Sequence, residues 1–451
     1  MKTRSVESRD SLSSYRSSLR PAMSGIFTAP FLSLLMNLGP QPWSARRWSL
    51  EYVLYVSVLM ALDEAEALQD RFAHARQVVV ALFPGRKRPG KSYQGYVKAC
   101  RRLRREHLQA VQERLRDRQR WAAGPYWQRD GWVAFAVDGT RVELPRTAAN
   151  EKAFGCAGRD KSGPQLQLTS LYHMGTGLPW AWQIGAGTES EQKHLCGQLA
   201  AFLPPGSLLV ADAGFTSFDL LRCLLERRVQ FLVRMGSNRT LLQGLEDARV
   251  RVQGEIVWLW PTKKQATCPP LRLRLRRIEQ ANHSPMYLVT SVLDEQALTD
   301  RQIGQFYRLR WGQEVFHRAF KQTLAQHKMR SDSPAQAQSE LDWALMAYLI
   351  LGLWSVAALV GAGHDPLTWS VAESLRVVRG ALRQGGRLGR GPLARFLRQA
   401  VKDRYVRTGS KAARNWPRKK KDHPPGLPKM REATEQEKYR FQTTYERIRT
   451  T

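Results

Sequence analysis

A chain of 451 residues, 43% hydrophobic and 9% aromatic, is too long for one ordinary core and too apolar to be disordered throughout, so two or three folded domains are expected. Lys and Arg number 71 against 39 Asp and Glu, a formal net charge of +32, which calls for a polyanionic partner, nucleic acid before an anionic membrane. Five cysteines without a C-x-x-C pair or a Cys/His cluster argue against a disulfide framework and against structural zinc.

Residues 1–44 open with charges of both signs and no apolar h-region, so they read as a disordered or extended arm and not as a secretory signal. Residues 45–125 read as a helical, basic region. Leu50 to Leu62 is apolar, Glu64–Phe83 is amphipathic in parts, and a basic loop from Arg86 to Lys91 leads into an arginine-rich helix, Ser92–Trp121. Arg101, Arg102, Arg104 and Arg105 are its candidate DNA contacts. Gly124-Pro125 marks a boundary.

From 126 to 235 the pattern becomes α/β. Strands are expected at Trp132–Val137, Gln165–His173, Pro179–Gly185, Ser207–Ala211 and Val229–Arg234, with helices at Ser190–Phe202 and Ser217–Arg228. That order predicts a mixed five-stranded sheet flanked by helices. Residues 236–293 read as a β-rich insertion, and 294–364 return to helix. Residues 365–451 read as basic helices around a Gly-rich break, followed by a disordered Lys/Pro-rich tail that includes Arg418–Lys421. Trp343 to Val360 carries no charge and is long enough to span a membrane. A helix buried in a large domain gives the same pattern and is the favoured reading.

The most informative stretch is YRLRWGQEVFHRAFK at 307–321. Tyr307, Arg310, Glu314 and Lys321 lie at offsets that fall within an arc of roughly 60° on a helix and along a line of about 20 Å. Leu309, Phe316, Phe320 and Leu324 gather on another face. One carboxylate among cations suits a phosphodiester site, where the acid holds metal and the cations hold phosphate oxygens. The plainer alternative is an ordinary i,i+4 ion pair between Arg310 and Glu314.

Asp138 and Asp212 each follow an apolar strand directly, at the end where open α/β sheets place their sites. Each is followed by turn formers, Gly139-Thr140 and Ala213-Gly214. A capping or turn aspartate is the alternative for either one alone. Glu143, Glu189, Glu191 and Asp219 lie further from strand ends and rank lower.

Together these features resemble the DDE transposases of bacterial insertion sequences, in the subgroup marked by Y-x2-R-x3-E-x6-K. Tyr307, Arg310, Glu314 and Lys321 match that signature without a gap, and the contexts of Asp138 and Asp212 look like the first and second acidic motifs. The resemblance covers about residues 130–350. It implies an RNase H-like catalytic core with the β-rich segment between the second Asp and the Glu. It implies that Asp138, Asp212 and Glu314 bind two Mg2+ ions, with Mn2+ able to substitute. Tyr307, Arg310 and Lys321 would contact phosphates, and Trp311 would stack on a distorted base or simply pack. The implied reaction is cut-and-paste transposition through a hairpin intermediate. The implied partner is double-stranded DNA, as terminal inverted repeats and target, bound by a homodimer without stable membrane association, in the cytoplasm at the nucleoid. An RNase H-like nuclease or recombinase, or an inactive DNA-binding derivative, are the alternatives.

Overall fold

The computed structural model describes residues 17–38, 43, 47–84, 87–156, 163–245, 255–260, 268–280, 283–389, 391–403 and 426–450. The first described elements are helices α1 (Arg20–Ile26) and α2 (Ala29–Asn37), each with proline in its first turn, where a missing N–H is harmless. They correct the expectation of an arm over 1–44. Met23, Ile26 and Leu35 are buried, so apolar burial orders the segment. Residues 1–16 and Arg86 lie outside the described residues.

Helix α3 (Leu50–Leu62) starts at Ser49, whose Oγ accepts from the Tyr52 amide at 3.3 Å, and it is buried on every face. Helix α4 (Leu68–Leu82) packs on it. The expected Ser92–Trp121 helix is two, α5 (Tyr93–Cys100) and α6 (Arg105–Ala123). Between them Arg102 lays its guanidinium over the Trp43 ring and donates to the Trp48 carbonyl at 2.7 Å, a tertiary contact that outweighs local helix propensity. Gly124, at φ 50°, ends α6 in a conformation that favours glycine.

The α/β core follows: β1 (Ala134–Glu143), α7 (Ala148–Phe154), β2 (Gln165–His173), β3 (Leu178–Ala186), α8 (Glu191–Gly197), β4 (Leu208–Ala211), α9 (Phe218–Glu226) and β5 (Gln230–Arg234). The strands lie in the order β3-β2-β1-β4-β5. β1 runs parallel to β4 and β4 to β5, while β2 opposes both its neighbours. This is the mixed five-stranded sheet of the expected RNase H-like core. Side chains alternate across it: Ala134 and Ala136 join the core beneath the helices, and Phe135 and Val137 join a second core under α8 and α9.

The segment expected as an insertion, 236–293, is β-rich, but its strands extend this same sheet. β6 (Thr240–Gln243), β7 (Glu255–Leu259), β8 (Leu271–Gln280) and β9 (His283–Thr290) continue it from the open edge of β5, with β9 antiparallel to β5. Pairing of that edge leaves no exposed ladder beside the core. Two helices, α10 (Asp300–Leu309) and α11 (Trp311–Arg318), and a π-helical turn at Ala319–Thr323 make up the expected single helix around 307–321.

Helix α12 (Pro334–Val360) contains the apolar run, and 83% of its most apolar window is buried within the protein. It packs on α3 and α6, and its half-buried Asp342 accepts from the Trp182 indole N–H at 2.8 Å. A helix apolar on all sides and covered on all sides is a core helix. Beyond it come α13 (Val371–Arg383), α14 (Leu393–Leu397), β10 (Lys429–Glu432) and α15 (Glu435–Thr450). The tail expected to be disordered thus adds an edge strand, because β10 pairs parallel with β6. Arg418–Lys421 lie outside the described residues.

Candidate active site

Strand β1 buries Ala134 to Val137 completely and then turns polar, so Asp138 is the first side chain to emerge, 22% exposed. Its Oδ1 accepts from the Gly139 amide at 2.9 Å, and its neighbour across β2 is Ser170. Asp212 follows the all-buried β4 and caps the short turn Ala213–Phe215, with Oδ1 accepting from the Gly214 amide at 2.8 Å. The capping role named as an alternative for Asp212 is therefore present, and it leaves the residue at the sheet's C-terminal edge beside β1.

The charge of Asp212 reaches Asp138. Burial first, with the negative charges of Asp212 and Glu191 adding to it, raises the Asp138 carboxyl to about 7 against the stabilising Gly139 amide and Arg310. Glu191 is also raised, by burial first and then by Asp212. It begins α8, and Gln167 donates to its Oε1 at 3.3 Å. A Cβ added at Gly139 would fall on the Glu191 carboxylate, so the glycine makes room for it. Sequence reasoning ranked Glu191 low because it stands away from a strand end. The glycine after Asp138 was the available signal.

The helix pair supplies the rest. Arg310 sits at the junction of α10 and α11, 7% exposed, where the Gln313 amide donates to its carbonyl at 3.0 Å in a tight turn. Its guanidinium lies 5.4 Å from the Tyr307 ring and 5.6 Å from the Trp311 ring, and it donates to Glu314 Oε1 at 3.2 Å. The i,i+4 pair named as the plainer alternative is thus formed, but with a buried arginine and not on an open surface. Tyr307 is pushed up by burial and lies among the charges of Arg310, Arg234 and Asp212. Arg234, at the end of β5, reaches the Tyr307 phenol and was not singled out from sequence, although it closes an apolar strand at the same edge as Asp212.

Trp311 is 58% exposed, an open aromatic face at the mouth of the site. Lys321 lies within the π turn and is lowered by burial, against the opposing charge of Glu143. The turn disrupts the straight-helix spacing assumed for it. His317, behind Glu314, sits 3.9 Å from Asp138 through Nδ1, and burial with Lys321 pushes it down to about 3, so the ring is neutral near pH 7.

The expected triad is therefore gathered only in part. The charge of Asp212 acts on Asp138, whereas Glu314 is turned to Arg310, and among the described residues no group of three His, Cys, Asp or Glu side chains is set to hold a metal ion. Of the candidate DNA contacts before β1, Arg101, Arg104 and Arg105 are exposed, while Arg102 is committed to Trp43 and Trp48.

Residues 132–350 match the family of the transposase DDE domain. Over that stretch, just under half of the chain, the sequence is similar to DDE transposases. The match contains Asp138, Asp212, Tyr307, Arg310, Glu314 and Lys321, whereas Arg101–Arg105 lie before it. The chain is 27% identical over 402 residues to the transposase InsG for insertion sequence element IS4 of Escherichia coli (strain K12), covering 84% of this chain and 86% of that one. A piggyBac transposase, solved by cryo-electron microscopy as a synaptic complex with hairpin DNA, is similar over 86% of this chain and 83% of its own, with 12% identity and a TM-score of 0.45. Transposases of this family act on DNA and use divalent metal ions.

Proposed function

We propose that this transposase excises and reinserts an insertion sequence by cut-and-paste transposition, with Asp138, Asp212 and Glu314 as the ligands of two Mg2+ ions, which Mn2+ can replace. The observation that carries the reading is the confinement of Asp138 beside Asp212 at the sheet edge, where burial and like charge hold the Asp138 carboxyl near pH 7. Hard carboxylate oxygens short of counter-charge suit a hard divalent cation. Bound there, such cations lower the pKa of the attacking water and stabilise the leaving 3′ oxygen.

The side chains around them divide the remaining work. Arg310 and Tyr307 stand over the aspartates and bind the phosphodiester oxygens, with Lys321 further along the strand. A phosphate that takes the Arg310 guanidinium frees Glu314 to turn toward Asp138 and Asp212, so DNA completes the triad. Trp311 offers its exposed ring to a base unstacked by the bend of a hairpin intermediate. Water adds to phosphorus at the element's end and the bond to the 3′ oxygen breaks; the freed 3′-OH then attacks a second phosphodiester in the same site and displaces that linkage's own 3′ oxygen.

Double-stranded DNA is engaged as terminal inverted repeats and as target, with Arg101, Arg104 and Arg105 on backbone phosphates. The active form is a homodimer in the DNA complex, at the nucleoid in the cytoplasm, without stable membrane association; the burial of α12 supports the last point. The test is cleavage of a labelled duplex carrying the repeat from the DNA flanking the gene. Asp138→Ala, Asp212→Ala and Glu314→Ala each abolish Mg2+-dependent nicking and retain the gel-shifted complex. Nicking that survives in these variants removes the metal role.

A further inference from the structure

The catalytic helix sets one more polar group against Asp138. His317 lies one turn beyond Glu314 on α11 and is 7% exposed. Its Nε2 is 3.1 Å from Ser170 Oγ and 3.2 Å from Gln313 Nε2. That same Gln313 nitrogen donates to Ser170 Oγ at 2.7 Å and to the Ser170 carbonyl at 3.2 Å. A carbonyl oxygen only accepts, so the Gln313 atom facing it is nitrogen; the opposite amide orientation would set two oxygens against each other. An N–H on His317 Nε2 would face the amide hydrogens of Gln313, so Nε2 is the bare acceptor, taking the proton of the Ser170 hydroxyl, and the ring proton sits on Nδ1. Nδ1 faces Asp138 Oδ2 at 3.9 Å, while the other carboxylate oxygen is held by the Gly139 amide. Ser170 stands opposite Asp138 in the β1–β2 register, so the pairing of the strands sets both ends of this chain of contacts.

We propose that His317 is a positioning residue for Asp138: Gln313 and Ser170 fix its tautomer, and its Nδ1–H steers the Oδ2 oxygen so that the carboxylate meets a divalent cation in one orientation. The proposal rests on the reading of Asp138 as a metal ligand. At 3.9 Å the contact is an electrostatic guide and not yet a hydrogen bond. It closes when the carboxylate turns to its cation, the usual partnership between a ligand and the group behind it.

The experiment is Mn2+ titration of the full chain saturated with duplex DNA, with free Mn2+ read by electron paramagnetic resonance and folding checked by thermal melting. His317→Asn keeps an N–H where Nδ1 stood, whereas His317→Gln moves it to the Nε2 position. The asparagine variant binds Mn2+ as the parent does, and the glutamine variant binds about tenfold more weakly. Equal affinity in the two variants overturns the proposal, since packing alone would then account for any loss. Asp138→Ala separates the two readings. If it leaves Mn2+ affinity unchanged, the metal role of Asp138 fails and this proposal fails with it. If it abolishes binding while both His317 variants match the parent, only the positioning role is lost.

Discussion

At Asp138 the native protein holds a carboxyl at about 7 that starts from 3.8, chiefly through burial, with Asp212 and Glu191 adding repulsion. Between those two values the folded state binds a proton that the unfolded chain has released, so this group's contribution to stability declines as pH rises through the window. Asp138→Asn removes the buried charge and keeps the shape. Without metal, the variant melts above the parent at pH 8, and the advantage shrinks toward pH 4; an advantage that does not depend on pH would contradict the assignment. Added Mg2+ raises the parent's melting temperature and leaves that of the variant unmoved. The neighbouring Gly139 makes a different demand, for space. Gly139→Ala drives a methyl into the Glu191 carboxylate and costs about 1–3 kcal/mol by the usual scale of overpacking. Adding Glu191→Ala recovers most of that in chemical denaturation, because the two changes share one contact.

The elements most legible in the sequence are those written by periodicity. Strands β2, β4 and β5 emerge close to their expected bounds, whereas β1 runs on past Val137 to Glu143 because its polar half still pairs with β2; Asp138 and Asp212 stand where the apolar runs of β1 and β4 stop. Tertiary contacts are not written in this way. The break at Arg310 depends on a buried guanidinium lying between Tyr307 and Trp311, and the π turn around Lys321 is invisible to a 3.6-residue count. Glu191 enters the site only because β2 and α8 fold over Gly139. β7, β8 and β9 are legible as strands, but not as an extension of the β5 edge, since pairing is a long-range property. At the far edge, β10 is held in part through Phe441, whose ring meets Trp258 edge-on at 4.9 Å, close to Leu242, Leu245 and Ala433. Phe441→Ala weakens that docking by about 1 kcal/mol. Hydrogen exchange then speeds up in β6 and β10 while β1, β2 and β4 keep their protection. Uniform loss of protection would show that the edge and core strands unfold as one unit.

For the whole molecule, the net charge of +32 has to be reconciled with the large number of arginines that the fold uses internally. On α6 the guanidinium of Arg114 lies 5.7 Å from the Phe31 ring, that of Arg116 4.5 Å from Phe202, and that of Arg120 5.2 Å from Trp180. These cations join the N-terminal helices to the sheet, and an arginine stacked in this way is less available to a phosphate. The basic helix is therefore partly a bracket between layers, and composition overstates how much of it meets DNA. Arg101, Arg104 and Arg105 differ, being exposed at the break between α5 and α6. Each phosphate neutralised by a side chain releases counterions, so the logarithm of affinity falls with the logarithm of salt by a slope of about 0.9 per contact. Replacing Arg101, Arg104 or Arg105 by alanine lowers that slope by roughly one each in a salt titration of duplex binding. Arg102→Ala leaves the slope as it was and lowers the melting temperature, because its guanidinium is bound to Trp43 and Trp48. If Arg102 behaves like its three neighbours in the slope, the packing assigned to it gives way on DNA; if none of the four moves it, the backbone contacts lie elsewhere on the molecule.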